Sequence, residues 1–307
     1  MEKVIVVIGP TSVGKTKMGV ALAKKFNGEV ISGDSMQIYK QMDIGTAKVT
    51  EEEKEGIIHH CVDILNPDET YSVHDFQQTV RKKITEITQR GHVPIIVGGT
   101  GLYIKAALYD YQFDEMENDH HAINEKYKDY TNEQLHDHLK SIDEESAKTL
   151  HFNNRRRILR AIEIYETTGK RKSEMLEEQE HICLYDAYFV GLTLPRDVLY
   201  ERINKRVDVM MKNGLKEEMD QLYSQGLTRN HQSMKAIGYK EWFDYYDRQI
   251  DLNEVLELIK KHSRQYAKRQ YTWFKNQFDV HWYDVNLENF EQTIEQVTDD
   301  IEKILKV

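Results

Sequence analysis

Val4-Ile-Val-Val-Ile8-Gly9-Pro10-Thr11-Ser12-Val13-Gly14-Lys15-Thr16 is the stretch on which the fold turns. Its first five residues are β-branched and apolar without a polar break, as in a parallel-sheet strand buried on both faces. Gly9 to Thr16 then fits the phosphate-loop pattern GxxxxGK[ST]. In that pattern glycines let backbone N–H groups turn toward an anion, and the N-terminus of the next helix adds partial positive charge. Lys15 is placed to reach terminal phosphates, and Thr16 to hold Mg²⁺. Met18, Ala21, Leu22 and Phe26 recur at helical spacing, so a helix is predicted over 15–26.

Outward from this loop the α/β alternation continues. A second short strand is predicted over 29–32. Ser72-Val-His-Asp75 has the form of a capping box, opening a helix that runs to about Arg90 and stops at Gly91. Residues 92–97 read as another buried strand, followed by Gly98-Gly-Thr100-Gly101. Strands alternating with helices predict a parallel sheet wound by right-handed crossovers, an α/β core of the P-loop NTPase type. The pattern changes near 110. Residues 110–150 carry 12 acidic and 4 basic side chains, a local charge of −8, and read as short polar helices. Residues 151–172 reverse the sign, with seven Lys or Arg against Glu163 and Glu166, and stay helical up to a stop at Gly169. Strand character returns over 187–194. The expected organisation is a core of 1–111 and 184–307 with a helical insertion domain at 112–183.

The C-terminal part is predicted to be mostly helical. Helices over 196–212 and 215–225 are closed by Gly214 and Gly226, and a longer one covers 252–276. A last strand over 281–283 and a last helix over 287–306 follow. Residues 260–275 hold Lys260, Lys261, Arg264, Lys268, Arg269 and Lys275 with no acid, interleaved with Tyr266, Tyr271, Trp273 and Phe274. Basic residues among aromatics suit a single-stranded nucleic-acid loop, through phosphate pairing and base stacking.

Composition narrows the class. A chain of 307 residues suggests about two domains. Lys+Arg 42 against Asp+Glu 52 gives −10, which at face value disfavours a nucleic-acid partner; the two basic segments show that the average conceals the distribution. With 39% hydrophobic residues, 4 Pro and 16 Gly, collagenous and low-complexity classes are excluded. Cys61 and Cys183 form no CxxC pair, so neither a disulfide scaffold nor a Cys-type zinc finger is expected. No apolar run approaches the roughly 20 residues that span a bilayer, and the start is too short for a signal peptide. A cytoplasmic protein with no membrane partner is expected. His59-His60, His120-His121 and His136-x-His138 lack a zinc-type ligand frame, so structural or surface roles are expected for them.

A phosphate loop alone indicates an oligophosphate. The usual companion in NTPases is an acid that ends a hydrophobic strand and holds Mg²⁺. Here the strand over 92–97 ends in Gly98-Gly-Thr100-Gly101, with no acid, which weakens an ATPase reading. Asp34, in Ile31-Ser-Gly-Asp34-Ser35-Met36-Gln37, follows the second strand. In a parallel sheet that puts it at a carboxyl strand end beside the phosphate loop, where a carboxylate can act as general base.

GPTSVGKT, SGDSMQIYKQMDIGTAK (32–48), HHCVDI (59–64), GGTGLY (98–103), NNRRRILRAIE (153–163), KAIGYKE (235–241) and AKRQYTWFK (267–275) together resemble the tRNA dimethylallyltransferase family, over most of the chain and in order. Eukaryotic members carry a C-terminal zinc finger; with no such module in this sequence, it resembles the bacterial form. The resemblance implies transfer of a dimethylallyl group from dimethylallyl diphosphate to the exocyclic N6 amine of the adenosine at tRNA position 37, beside the anticodon. It also implies that Gly9, Pro10, Thr11, Ser12, Val13, Gly14, Lys15 and Thr16 hold the substrate diphosphate, with Thr16 on Mg²⁺. Asp34 then accepts the amine proton, Thr100 lies near diphosphate and adenine, and Arg206 grips the leaving group. Arg202 and Arg206 are four apart, so one helix face can carry both.

For the tRNA anticodon stem-loop the resemblance implies three groups of contacts. Asp34, Ser35, Met36, Gln37 and Thr100 lie beside the target base. Arg156, Arg157, Ile158, Leu159 and Arg160 lie in the insertion. Lys235, Ala236, Ile237, Gly238, Tyr239, Lys240, Lys268, Arg269, Gln270, Trp273 and Lys275 lie in the core. A monomer is expected. Three alternatives remain at this point: an ATP-dependent small-molecule kinase, an adenylate isopentenyltransferase acting on free AMP, and a non-catalytic RNA-binding module. The kinase leaves GGTG and the basic segments without a role, and free AMP leaves the insertion without one.

Overall fold

The computed structural model describes residues 1–111, 120–177 and 181–305. The expected insertion start at 112, the 112–119 part of the acidic run and the predicted helix end at 306 lie outside the described residues. Two compact units form: Met1–Tyr109 with Cys183–Val307, and Asp110–Ile182. The break falls at 110 and 182, against the expected 112 and 183. An antiparallel bridge joins Tyr109 to Cys183, so both of these residues stay with the first unit.

The first unit contains β1 (Lys3–Ile8), α1 (Lys15–Lys25), β2 (Gly28–Ser32), α2 (Glu51–Lys54), β3 (His59–His60), α3 (Val73–Gln89), β4 (Val93–Val97) and α4 (Gly101–Leu108). The second holds α5 (His120–Lys126), α6 (Asn132–Ile142), α7 (Glu144–Thr149), α8 (Arg155–Thr168) and α9 (Lys172–Glu177). The first then resumes with β5 (Asp186–Thr193), α10 (Arg196–Lys212), α11 (Leu215–Ser224), a 3-10 turn at Ser233–Lys235, α12 (Trp242–Tyr246), α13 (Leu252–Gln277), β6 (His281–Asp284) and α14 (Phe290–Leu305).

The six strands form one sheet in the order β3-β2-β4-β1-β5-β6, with every pairing parallel. The side-chain period of two divides β1 between two cores. Val4, Val6 and Ile8 pack on one face, with α3, α4, α11 and α12; Ile5 and Val7 pack on the other, with α1 and α14; α10 and α13 contribute to both. Each such side chain, fully buried, contributes about 1.5–3 kcal/mol. β1 is the sheet's switch point: the chain moves to β2 and β3 on one side, returns to β4, then crosses to β5 and β6. Ligands of such sheets bind beyond the carboxyl ends of the strands at that point.

The capping box at α3 is present as read: Ser72 Oγ accepts from Asp75 N at 3.1 Å, and Asp75 Oδ2 accepts from Ser72 N at 2.8 Å. Gly169, Gly214 and Gly226 take the left-handed conformation where helices were expected to stop. β3 escapes the sequence because two residues carry no periodicity. The helical unit has its own core, built from Ile123, Tyr127, Leu135, Leu139, Ala147, Ile158, Leu159, Ala161 and Ile162.

Glu29 is the second residue of β2 and is only 2% exposed. Its carboxylate accepts from Arg90 at 3.1 and 2.7 Å and contacts His60 Nε2 at 2.6 Å and His92 Nδ1 at 2.8 Å. Burial alone would push its pKa up, but the bonds from Arg90, His60 and His92 hold it down at about 2. A depressed carboxyl stabilises the fold above its unfolded pKa, and that contribution is lost as pH falls through about 2. Glu29→Gln is therefore expected to lose about 3 kcal/mol at pH 7. Urea unfolding at pH 7, 4 and 2.5 checks this; a gap between variant and parent that fails to narrow toward acid contradicts it.

Candidate active site

The loop from Gly9 to Gly14 joins the end of β1 to α1. Gly14 has φ +110°, a conformation side chains avoid, and a Cβ there would stand 2.8 Å from the Phe290 ring. Ser12 also lies in the left-handed region, at φ 67°. Its carbonyl accepts from Arg202 Nε at 3.0 Å, so α10 reaches over and holds the loop from outside. The Ser12 hydroxyl is buried without a hydrogen-bond partner.

Lys15 begins α1 and donates back to the carbonyls of Gly9 at 3.0 Å and Pro10 at 2.7 Å. Burial, and then the neighbouring Arg206, push its ammonium down to about 7, with Asp34 opposing. Arg206 is lowered by its own burial, with Glu53 and Asp34 pulling it back up and Arg202 adding to the depression. Lys15, Arg206 and Asp34 are therefore electrostatic neighbours. Thr16 follows Lys15 in the first turn of α1, which carries no acidic residue.

Asp34 closes a turn just beyond β2. Its Oδ1 accepts from Met36 N at 2.8 Å and, more weakly, from Gln37 N at 3.4 Å. The turn is latched to the loop after β4. Thr100 Oγ1 accepts from Ser35 N at 3.1 Å, and Thr100 N donates to Gly33 O at 3.2 Å. Gln37 accepts from Ser32 Oγ at 3.1 Å through Oε1. β4 ends in Gly98-Gly-Thr100-Gly101 with no carboxylate, so the acid of this site comes from β2.

α13 supplies the opposite wall through Tyr266, Gln270 and Trp273, spaced i, i+4 and i+7 on one helix face. Gln270 accepts from Thr11 N at 3.0 Å and donates to Gly99 O at 2.9 Å, bridging the phosphate loop to GGTG. The Trp273 indole lies against Gly101, where a Cβ would overlap the ring, and packs edge-on against Phe278. Tyr266 is pushed up to about 12 by burial and then by Asp34, and its hydroxyl donates to Gly99 O at 3.4 Å. Its phenol therefore stays a neutral donor beside the carboxylate. Among the interleaved aromatics of the basic segment, the 266/270/273 periodicity is the signal that marks Tyr266 as a site-facing residue.

The other expected contact residues separate by burial. On the outer face of α13, Lys268, Arg269 and Thr272 line a shallow groove that reaches Trp273, Asn276 and Gln277. Lys275 is exposed, whereas Lys260 is bound to Asp208 at 2.9 Å and Arg264 to Asn204 at 2.5 Å, so part of the +6 segment is held within the core. Lys235 and Lys240 reach the surface. Ala236, Gly238 and Tyr239 point inward, and Ile237 is half-buried. In the helical unit Arg156 and Arg157 are exposed, Arg160 is paired with Glu163 at 2.8 Å, and Ile158 and Leu159 belong to that unit's core. His59 Nδ1 contacts Ile57 O, His136 Nε2 contacts Ala147 O and Leu150 O, and His138 contacts the Tyr127 hydroxyl. The side chains of His120 and His121 lie outside the described residues.

Comparison with known proteins bears on this arrangement. A tRNA dimethylallyltransferase of Bacillus cereus strain AH187 is 54% identical over 287 residues, 92% of this chain and 90% of that protein. The crystal structure of a tRNA delta(2)-isopentenylpyrophosphate transferase from Staphylococcus epidermidis matches 99% of each chain at 47% identity and a TM-score of 0.74. A eukaryotic dimethylallyltransferase acting on tRNA matches 99% of this chain and 79% of its own at 32% identity, with a TM-score of 0.86. The "IPP transferase" family model covers residues 37–277, which hold Gln37, the GGTG loop, Arg206 and the inner face of α13. A phosphate loop whose acid comes from β2, and this breadth of similarity, lead to one conclusion: the chain belongs to the IPP transferase family.

Proposed function

We propose that the chain transfers a dimethylallyl group from dimethylallyl diphosphate to the N6 amine of the adenosine at position 37 of tRNA. The observation that carries this is the bracing of the phosphate loop to GGTG through Gln270 and the latching of the Asp34 turn to Thr100 of that same segment, with Lys15 and Arg206 as electrostatic neighbours of Asp34. Two cations and a cradle of amides suit a leaving diphosphate, and a neighbouring carboxylate suits a proton acceptor. In the reaction the allylic C–O bond breaks and the N6–C bond forms. The amine proton passes to Asp34, and diphosphate departs against Lys15, Arg206 and the loop amides. The adenine amine is a weak nucleophile because its lone pair is delocalised, so removing its proton during attack lowers the barrier. The base must leave its stack to enter.

Thr16 would offer Mg²⁺ one hydroxyl in the first turn of α1, as phosphate-loop Ser/Thr residues do, with substrate phosphate and water as its other ligands. Among the described residues no group of three His, Cys, Asp or Glu offers an all-protein cage. When bound there, Mg²⁺ would neutralise charge on the departing diphosphate. The exposed cations of α13, Lys235, Lys240, Arg156 and Arg157 support RNA as the acceptor's carrier. No helix among the described residues is long and apolar enough to cross a membrane.

Incubation with dimethylallyl diphosphate, Mg²⁺ and unmodified tRNA, followed by nucleoside mass spectrometry, tests the reading. Prenylated adenosine is expected, and its absence while the tRNA binds would overturn it. A second expectation concerns the groove. Lys268→Ala with Arg269→Ala should make the slope of log affinity for tRNA against log salt shallower by about 1–2. An unchanged slope would place those two side chains away from RNA phosphates.

A further inference from the structure

The DIGTAK segment after Gln37 has no regular secondary structure, yet it lies directly beneath that glutamine. We infer that Glu218, on α11, is a positioning residue: it holds the 43–47 loop in place, and through the loop it sets the Gln37 side chain on the base side of the cavity. This inference rests on the function proposed above.

The anchoring is dense. Glu218 Oε2 accepts from the backbone N of Asp43 at 2.8 Å and of Ile44 at 2.7 Å, and Oε1 accepts from Gly45 N at 3.0 Å. Oε1 also accepts from the Tyr239 hydroxyl at 2.6 Å. Three successive amides around one carboxylate form an anion nest whose anion is a side chain of the protein itself. Bonds to an ionised acceptor are the strong class. The fully buried Tyr239 ring packs against Gly45, which joins the KAIGYKE and DIGTAK segments at one point.

The loop's internal bonds fold it on itself: Ala47 N donates to Ile44 O at 2.9 Å, and Lys48 N to Asp43 O at 2.9 Å. Lys48 Nζ reaches Tyr39 O at 2.7 Å and Asp43 Oδ1 and Asp63 Oδ1 at 2.5 Å each. What the loop offers the site is two carbonyls. Gln37 Nε2 donates to Thr46 O at 3.4 Å and Ala47 O at 3.3 Å. Those bonds are near the limit of useful length, so a loop shift of a few tenths of an ångström breaks them. The Gln37 carboxamide then keeps only its Ser32 contact, and its backbone N–H is the weaker donor to the Asp34 carboxylate. Glu218 itself touches neither Asp34 nor the phosphate loop, so the effect should fall on the RNA side of the reaction.

Glu218→Gln tests this, because its amide would set a donor against backbone donors while keeping the volume. Expected is a fall in kcat/KM for tRNA of about tenfold to a hundredfold. KM for dimethylallyl diphosphate should stay within about twofold, since the loop is remote from the phosphate cradle. Combined with Gln37→Ala, the loss should be close to that of Gln37→Ala alone, because both act through one side chain. Multiplicative losses, or an equal rise in both KM values, would overturn the proposal. Tyr239→Phe removes one of the four donors and leaves the amides; if Glu218→Gln fails to fold, the same non-additivity with Gln37→Ala is expected of it, and multiplicative losses there overturn the proposal equally. Failure of the unaltered enzyme to prenylate tRNA would strike the functional reading, whereas a normal parent with additive variants strikes the role of Glu218 alone.

Discussion

Asp34→Asn should lower the single-turnover rate of prenyl transfer by about 10²–10⁴-fold, the usual worth of a positioned proton acceptor. Affinity for tRNA should stay within a few-fold. Asparagine is the informative change because the turn depends on one oxygen only. Oδ1 accepts from Met36 N at 2.8 Å, and a carboxamide oxygen does the same. The latch from Ser35 N to Thr100 Oγ1 should therefore survive, and with it the shape of the cavity. What is lost is a group able to take the amine proton. Alanine would remove the turn as well, mixing a structural loss with a chemical one. Asparagine also removes negative charge from a cavity that binds an anion, so pyrophosphate should bind the variant at least as tightly as the parent. Quench-flow at saturating tRNA, with filter binding and pyrophosphate titration, separates these effects. A rate above about a tenth of the parent's would reassign the proton to another acceptor.

Local signals carried the site as far as local signals reach. The apolar run to Ile8, the phosphate loop and the placing of Asp34 beyond the second strand all lie within single short segments, where strand and turn chemistry act on neighbours. Arg202 and Arg206 are legible as one helix face, but not that Arg202 holds the Ser12 carbonyl while Arg206 is an electrostatic neighbour of Lys15 and Asp34. That depends on how α10 lies over the sheet. Glu29 shows the limit most clearly. It lies 31 residues from His60 and 61 from Arg90, and the three meet only because β2 stands between β3 and β4 in the sheet. Nothing in the residues around Glu29 states that order. Gln270 and Tyr239 are a subtler case. They sit in segments rich in charge, which drew them toward an RNA surface, but their own helical or turn phase turns them inward, to Gly99 and Thr11 and to Glu218. Phase within a segment decided orientation more firmly than the charge of its neighbours did.

Lys15→Met should separate catalysis from stability. Lys15 is half-buried, feels Arg206 and is held by the carbonyls of Gly9 and Pro10. Removing it forfeits two hydrogen bonds, at about 0.5–1.5 kcal/mol each. It also relieves a desolvated cation beside a second cation, a change of opposite sign that outweighs those bonds. The free variant should thus be at least as stable as the parent. With the diphosphate present the balance is different. Lys15 must turn from the loop carbonyls to the anion, and the repulsion from Arg206 becomes shared attraction to one ligand. The parent should therefore gain stability from pyrophosphate and Mg²⁺ according to the ligand's affinity, and the variant should gain little. Turnover should fall by about 10²–10³-fold, since the charge that Lys15 meets grows as the C–O bond breaks. tRNA affinity should be kept, because the anticodon loop does not depend on this lysine. Urea unfolding with and without pyrophosphate, beside steady-state kinetics, reads both sides at once. A variant that pyrophosphate stabilises as fully as it does the parent would mean that the loop amides and Arg206 hold the diphosphate without Lys15.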